Sequence, residues 1–223
     1  MSEASNALSA LTERVSFLRW RVGEPADDEL VGADLASDPD VLAAAVAASR
    51  PAWDVDDPMV LASLWWQAYA YRVAGTSLAC WLLTGVGPVP IAVGIGRHRP
   101  SSIVCAPDDG GETSLDALVE RLFAGHLDLV AASLRDCHRV GVQLLWGNAA
   151  AGVVSALLAL AGAEGTPAEV RERAPAITDA LPHDMPALGT WHDGQYRRTT
   201  CCLWFKTPVA RGGYCSDCSF SAS

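Results

Sequence analysis

The chain has 223 residues, half of which are hydrophobic, and 19% of its residues are charged. This composition is typical of a folded globular protein and excludes extensive disorder. Acidic residues outnumber basic residues by 26 to 16, which gives a net charge of −10. Nucleic acids and anionic membranes bind basic surfaces, so neither is an expected partner of so acidic a chain.

No segment of the chain is predicted to cross a membrane. Residues 1–16 lack the basic and apolar regions of a secretory signal. The apolar stretch 61–83 is interrupted by Gln67 and Arg72. Residues 149–163 are mostly small, and they are fewer than the roughly 20 apolar residues that a membrane span needs. We therefore expect a cytoplasmic protein, in which clustered thiols bind metals or carry redox chemistry more often than they form disulfides.

The first part of the chain is predicted to be helical, beginning with a helix over residues 3–20 that ends in a short extended piece. Two Asp-Pro steps mark the starts of further helices, because aspartate caps a helix N-terminus well and proline fits its first turn. Asp38-Pro39 opens an alanine-rich helix. Asp57-Pro58 opens a longer apolar helix, whose aromatic residues are expected to form a buried wall.

The middle of the chain combines a β element with two more helices. Residues 85–109 are rich in glycine and proline and carry short apolar runs, which indicates a β-hairpin or a small sheet. Ser114 is expected to start a helix over residues 115–139. A further helix, rich in small residues, is predicted over residues 142–161.

The last part of the chain contains less helix. A short helix, capped by Thr166-Pro167, is predicted to end at Arg173, after which residues 175–189 are expected to be irregular and residues 190–205 extended. Residues 1–189 are expected to form a mainly helical domain with the hairpin at its centre, and residues 190–223 a cysteine-rich segment packed on it. The pattern predicts an α+β fold that is mainly helical with a small antiparallel β element.

Four of the seven cysteines lie in the last 23 residues: Cys201, Cys202, Cys215 and Cys218. A Cys-x-x-Cys turn presents two thiolates to one ion or to one side of a cluster, and an adjacent pair can supply two more. Four soft thiolates suit Zn²⁺ or an iron–sulfur cluster. A zinc ribbon normally uses two Cys-x-x-Cys knuckles, whereas a two-iron cluster accepts unlike pairs at its two ends, so the spacing favours iron–sulfur. Zinc and dithiol or vicinal disulfide chemistry are the alternatives.

Other titratable residues have simpler expected roles. The remaining cysteines lie among apolar residues and are expected to be inert core thiols: Cys80, Cys105 and Cys137. His126 is expected on a helix surface. His192 lies nine residues before Cys201 and could couple proton uptake to reduction, although a solvated turn is the simpler interpretation.

Three segments carry a resemblance to a known family. They are Arg197-Arg198-Thr199-Thr200-Cys201-Cys202-Leu203-Trp204-Phe205, Cys215-Ser216-Asp217-Cys218 and, upstream, Leu145-Trp146-Gly147-Asn148-Ala149. They resemble the FhuF family of ferric-siderophore reductases, whose pattern C-C-x10-C-x2-C binds a [2Fe–2S] cluster. Here the gap is twelve residues, which we attribute to a loop insertion at Arg211-Gly212-Gly213 that leaves all four cysteines in place.

The resemblance implies a cytoplasmic ferric-siderophore reductase. In it, a [2Fe–2S] cluster held by the four C-terminal cysteines passes one electron to Fe(III) in a siderophore of the hydroxamate type. Hard oxygen donors hold Fe(III) far more tightly than Fe(II), so one added electron releases the iron. The sequence has no complete Gly-x-Gly-x-x-Gly motif, because Gly94-Ile95-Gly96 lacks the third glycine. The electrons are therefore expected from a ferredoxin or a similar protein.

Basic residues surround the cysteines, and no acidic residue lies among them between positions 195 and 216: Arg197, Arg198, Lys206 and Arg211. They are expected to stabilise an added electron and to dock the siderophore or an acidic donor, with ordinary surface roles as the alternative. Two other functions stay open at this point. One is a zinc-stapled binding module without enzymatic activity, and the other is a [2Fe–2S] electron carrier that serves a protein acceptor.

Overall fold

The computed structural model describes residues 19–106, 113–163 and 168–220. The predicted helix over residues 3–20 lies outside these ranges except for its last two residues, of which Trp20 begins a strand. The predicted cap at Thr166-Pro167 also lies outside the described residues.

The structure is α+β, as predicted. Its strands are β1 (Trp20–Val22), β2 (Leu30–Val31), β3 (Pro90–Gly96), β4 (Arg99–Cys105), β5 (Gly189–His192) and β6 (Gln195–Arg198). Its α-helices are α1 (Gly32–Ser37), α2 (Pro39–Ala48), α3 (Arg50–Trp53), α4 (Pro58–Ala70), α5 (Thr76–Thr84), α6 (Leu115–Leu122), α7 (Asp128–His138), α8 (Val142–Ala161) and α9 (Glu169–Asp179). The π-helical turns Tyr71–Gly75 and Phe123–Leu127 join α4 to α5 and α6 to α7, and the 3₁₀ turns are Met185–Leu188, Trp204–Lys206 and Pro208–Ala210.

The predicted hairpin is the centre of a four-stranded sheet. Strands β3 and β4 pair antiparallel, β2 lies antiparallel to β3, and β1 lies parallel to β4, in the order β1-β4-β3-β2. Strands β5 and β6 form a separate antiparallel hairpin, in which Gly189 pairs with Arg198 and His192 with Gln195.

The predicted helix starts are confirmed. The carboxylates of Asp38 and Asp57 each accept two backbone N–H groups of the first helical turn, and Pro39 and Pro58 occupy the first helical positions. The hydroxyl of Ser114 accepts the N–H of Ala117. These side chains satisfy amide groups that the helices leave without an internal partner.

Helix α8 is the centre of the core and packs closely against α4. The indole nitrogen of Trp66 donates to the carbonyl oxygen of Leu145 at 2.7 Å. Gly152 allows the close approach, because a methyl group there would lie 3.0 Å from the backbone nitrogen of Tyr71. Among the described residues, α8 is the one helix long and apolar enough to cross a membrane. However, 72% of its apolar 18-residue stretch is buried inside the fold.

Two predictions for the last part of the chain were wrong. Helix α9 runs through Pro175 to Asp179, because Ala174 and Ile177 are buried on its inner face. Burial of that face outweighs the backbone hydrogen bond that proline cannot donate. Residues 190–205 are extended only as far as Arg198, since the chain then turns through the cysteine pair.

The prediction that His126 lies on the helix surface was also wrong. The π-helical turn directs its imidazole inward, where Nε2 lies 2.6 Å from the hydroxyl oxygen of the buried Tyr69. Gly32 leaves room for the ring, because a methyl group there would lie 2.2 Å from His126 Cε1. Burial lowers the pKa of His126 from 6.5 to about 4.

The half-buried imidazole of His126 makes stability depend on pH. Between pH 6.5 and 4 the unfolded chain binds a proton at His126 that the folded protein excludes, so stability falls as the pH is lowered. We expect His126 to contribute a loss of about 3 kcal/mol over that interval, measured by urea unfolding at each pH. A His126→Gln variant should lose markedly less stability over the same interval. An equal loss in both proteins would contradict the assignment.

Gly152 is expected to be intolerant of larger side chains. Gly152→Val would force α4 and α8 apart and lower the free energy of unfolding by about 2 kcal/mol, measured by thermal or urea unfolding. Gly125→Ala is the control, because a methyl group there meets nothing within 4 Å. A Gly152→Val protein as stable as the wild type would show that this helix contact is not tight.

Candidate functional site

The fold brings the four C-terminal cysteines together as two pairs. The Sγ atoms of Cys202 and Cys215 lie 3.1 Å apart, well beyond the roughly 2.0 Å of a disulfide bond. The thiols of Cys201 and Cys218 also interact through a hydrogen bond. Each pair therefore joins one residue of the Cys-Cys step to one residue of the Cys-x-x-Cys turn.

Backbone amides point at the sulfurs. Three donate to the thiols in this order: Leu203 to Cys201, Trp204 to Cys202, and Phe220 to Cys218. Leu203 adopts a left-handed conformation with φ of 67°, which turns the chain sharply after the cysteine pair. The N–H of Cys218 closes the other turn on the carbonyl of Cys215 at 3.1 Å. Amide donors of this kind stabilise thiolates and tune the potential of a bound cluster.

A buried ion pair lies behind the sulfurs. Arg198 is 2% exposed, and its Nε and Nη2 donate to Asp217 Oδ2 at 2.8 and 2.6 Å. The backbone N–H of Arg198 also donates to the carbonyl of Asp217 at 3.0 Å. The ion pair thus ties strand β6 to the Cys-x-x-Cys turn, in which Asp217 stands directly before Cys218.

The same guanidinium reaches two helices of the core. Nη1 of Arg198 donates to Asn148 Oδ1 at 3.1 Å, and Asn148 Nδ2 donates to the carbonyl and hydroxyl oxygens of Ser63 at 3.0 and 2.8 Å. The hydroxyl of Ser63 donates to the carbonyl of Cys202 at 2.9 Å. This polar network consists of Asp217, Arg198, Asn148, Ser63 and the Cys202 carbonyl, and it connects α4, α8, β6 and both cysteine turns.

The polar network keeps a positive charge, that of Arg198, beside the Cys202–Cys215 thiol pair. Burial alone would lower the pKa of Arg198, but Asp217 and the thiols of Cys202 and Cys215 raise it, so the guanidinium stays positive. The hydrogen bond from Cys215 lowers the pKa of the Cys202 thiol, and Arg198 lowers it further, against the effect of burial. The same hydrogen bond and burial raise the pKa of Cys215.

The four predicted basic residues do not share one role. Arg197, Lys206 and Arg211 are exposed, as a docking surface requires. Arg198 lies inside the protein, so its charge acts on the sulfurs from within rather than on a partner. Asp217, one residue beyond the basic window of the sequence, balances it.

A pocket of about 470 Å³ opens beside the Cys202–Cys215 pair, and both cysteines form part of its wall. Helix α4 and the turn that follows it supply Gln67, Tyr71 and Arg72, and strand β4 supplies Arg99. None of these four residues was predicted from the sequence to belong to a site. Gln67 and Arg72 were nonetheless visible as the polar interruptions of the apolar stretch 61–83, whereas nothing local marked Arg99.

Three aromatic rings form an exposed patch next to the cysteines. Phe205, Tyr214 and Phe220 have ring centroids between 5.8 and 6.5 Å apart, and they are 36%, 50% and 61% exposed. Tyr214 directly precedes Cys215, and Phe220 follows Cys218 by two residues. We call the rings of Phe205, Tyr214 and Phe220 the aromatic patch. The exposed Lys206 and Arg211 lie in the same segment of the chain.

The other candidate residues lie elsewhere. Cys80 and Cys105 are buried in the core, whereas Cys137 is half-buried rather than buried. Burial raises the pKa of Cys80 to about 12, as expected of an inert thiol. His192 is exposed at the tip of the β5–β6 hairpin, at the other end of strand β6 from Arg198.

A scan of protein-family models and a search of curated proteins both return no match for this chain. Its function is therefore inferred from the residues of the site.

The donor set of the site consists of four cysteine thiols. Among the described residues, no group of three or more Cys, His, Asp or Glu side chains is placed to hold one metal ion. The thiols form two pairs, and a [2Fe–2S] cluster would take two cysteines at each of its irons. Four soft sulfurs suit an iron–sulfur cluster or Zn²⁺, and the amide donors to three of them would tune the potential of a cluster held there.

Loss of the buried guanidinium should be costly. Arg198→Met leaves the Asp217 carboxylate and the Asn148 oxygen without their donor, and we expect the free energy of unfolding to fall by about 3 kcal/mol. The matched control is Arg197→Met at the exposed neighbouring position, expected to change stability by less than about 0.5 kcal/mol. Thermal unfolding of both variants decides the matter, and equal effects would contradict the role of the ion pair.

Proposed function

We propose that the protein is a ferric-siderophore reductase that holds a [2Fe–2S] cluster on Cys201, Cys202, Cys215 and Cys218. When bound, such a cluster supplies electrons one at a time without forming a bond to the substrate. The observation that supports the reductase is the pocket, since two of the proposed ligand residues form its wall. Its volume of about 470 Å³ lies in the usual range of roughly 300–1,000 Å³ for small-molecule sites.

The proposed reaction balances with one electron. A reduced ferredoxin-type protein loses an electron, and Fe(III) in the chelate becomes Fe(II). Oxygen donors that suit Fe(III) bind Fe(II) far more weakly, so the iron leaves the chelate. No covalent bond to the protein forms or breaks, and the residues of the site need only hold the chelate close to the sulfurs.

The chain's own residues have distinct tasks in this proposal. Arg198 places a fixed positive charge beside Cys202 and Cys215, which favours added negative charge at the sulfurs. Asp217 and Asn148 hold the guanidinium in that position. The half-buried Trp204 and the buried Trp53 give the pocket wall apolar surface beside the cysteines.

The electron donor is proposed to dock on the aromatic patch. Exposed aromatic residues with a basic rim are typical of protein interfaces, and Lys206 and Arg211 supply positive charge in a protein whose net charge is −10. An acidic donor of the ferredoxin type complements that local charge. Such donors and reduced thiols belong to the cytoplasm, which is the proposed location.

The two alternative functions differ from this proposal in what they require. A zinc-stapled binding module normally takes its four ligands from two Cys-x-x-Cys knuckles, and the adjacent pair Cys201-Cys202 does not form such a knuckle. A [2Fe–2S] carrier that serves a protein acceptor would use the aromatic patch. It would not need a small-molecule pocket against Cys202 and Cys215, so the pocket favours the reductase.

The experiment that tests the function is anaerobic reduction of ferric siderophores. Reduced protein is mixed with the chelate, and released Fe(II) is followed with a colorimetric Fe(II) chelator. We expect the wild type to release Fe(II) and Cys215→Ser to release none, because a serine oxygen does not replace a soft thiolate. Cys137→Ser, outside the site, should retain the wild-type rate. If Cys215→Ser and the wild type were equally active, or if the wild type reduced no ferric siderophore, the proposal would fail.

A further inference from the structure

The pocket beside Cys202 and Cys215 is lined by arginine and aromatic side chains. We propose that it binds anionic ferric chelates of the catecholate class. This inference rests on the proposed function and specifies the substrate of the same site. The resemblance to ferric-siderophore reductases instead implies a hydroxamate chelate.

The first observation is the charge of the pocket. Two guanidinium groups line it, from Arg72 and Arg99, and no acidic side chain is among the described residues of its lining. The wall away from the cysteines therefore carries a charge opposite in sign to the −10 of the whole chain. A cavity lined by one sign of charge concentrates ligands of the other sign.

The two arginines also influence one another. Burial lowers the pKa of Arg72, and the positive charges of Arg99 and Arg19 lower it further. Arg72 thus lies within electrostatic range of two other cationic groups, of which Arg99 also lines the pocket. A polyanionic ligand would relieve this repulsion, whereas a neutral ligand would leave it unchanged.

The second observation is the aromatic content of the wall. Trp53, Tyr71 and Trp204 line the pocket, and the guanidinium of Arg72 lies 4.9 Å from the centre of the Tyr71 ring. Aromatic rings of a ligand stack on such side chains and on arginine planes. Gln67 adds an amide that can donate to phenolate oxygens.

Chelate chemistry distinguishes the two siderophore classes by charge and shape. Each hydroxamate group carries one negative charge, so three of them cancel the charge of Fe(III). Each catecholate group carries two negative charges on an aromatic ring, so three of them leave an excess of three. The positive charge and aromatic wall of the pocket match the catecholate and give no advantage to the hydroxamate.

Gallium complexes test the inference without any redox step, because Ga(III) has the charge and nearly the size of Fe(III) but is not reduced. The protein as isolated is titrated with a Ga(III) tris-catecholate and with a Ga(III) tris-hydroxamate, and binding is followed by tryptophan fluorescence and calorimetry. We expect the tris-catecholate to bind at least about tenfold more tightly, with an affinity that falls as salt rises.

Substitution of the two pocket arginines tests whether the pocket causes the preference for the tris-catecholate. Arg72→Gln and Arg99→Gln should each weaken tris-catecholate binding by about tenfold and change hydroxamate binding by less than about twofold. Arg97→Gln is the matched control, since Arg97 lies in the turn directly before Arg99 and does not line the pocket. Tris-catecholate binding unaffected by both pocket variants would overturn the inference.

The wild type alone also decides the matter. Equal or tighter binding of the tris-hydroxamate would overturn the catecholate assignment, even if the protein reduced ferric hydroxamates and the proposed function stood. A protein without iron and sulfide would overturn the proposed function. Selective binding of the gallium tris-catecholate by that protein would still support the ligand class of the pocket.

Discussion

A buried guanidinium must be paired on every side, and this constraint at Arg198 organises the site. Asp217 neutralises its charge, Asn148 accepts from it, and Ser63 passes the hydrogen bonding on to the carbonyl of Cys202. The strand before the cysteine pair, the Cys-x-x-Cys turn and two core helices are thereby held in one arrangement. The cysteine segment has little regular structure of its own, so these contacts compensate for the sheet and helix hydrogen bonds that it lacks.

The proposed centre adjoins two surfaces of different character. The pocket reaches the Cys202–Cys215 pair and carries the positive charges of Arg72 and Arg99. The aromatic patch comes from residues adjacent in sequence to the cysteines and has Lys206 and Arg211 in its segment. A small anionic chelate suits the first surface and an acidic protein suits the second. Electron transfer between two partners requires both to approach one centre without competing for the same contacts.

The sequence predicts the features that depend on neighbouring residues. The caps at Asp38 and Asp57, the central hairpin and helix α8 are local patterns, and the structure confirms them. Contacts between residues distant in the sequence could not be predicted from local patterns. Asn148 meets Arg198 only because α8 packs beside β6, and His126 turns inward only because a π-helical turn shifts its helix. The pocket lies between these cases, because Gln67 and Arg72 stood out in an apolar stretch but only packing brings Arg99 beside them.

The most direct test of the proposed centre is the visible absorption spectrum of the protein purified without air, combined with iron and sulfide assays. Four cysteine thiolates holding a [2Fe–2S] cluster predict about two iron and two sulfide per chain, with visible absorption that bleaches on addition of dithionite. A colourless protein that contains one zinc per chain would contradict the proposal. It would leave a structural metal site on a mainly helical protein with a pocket of unassigned use.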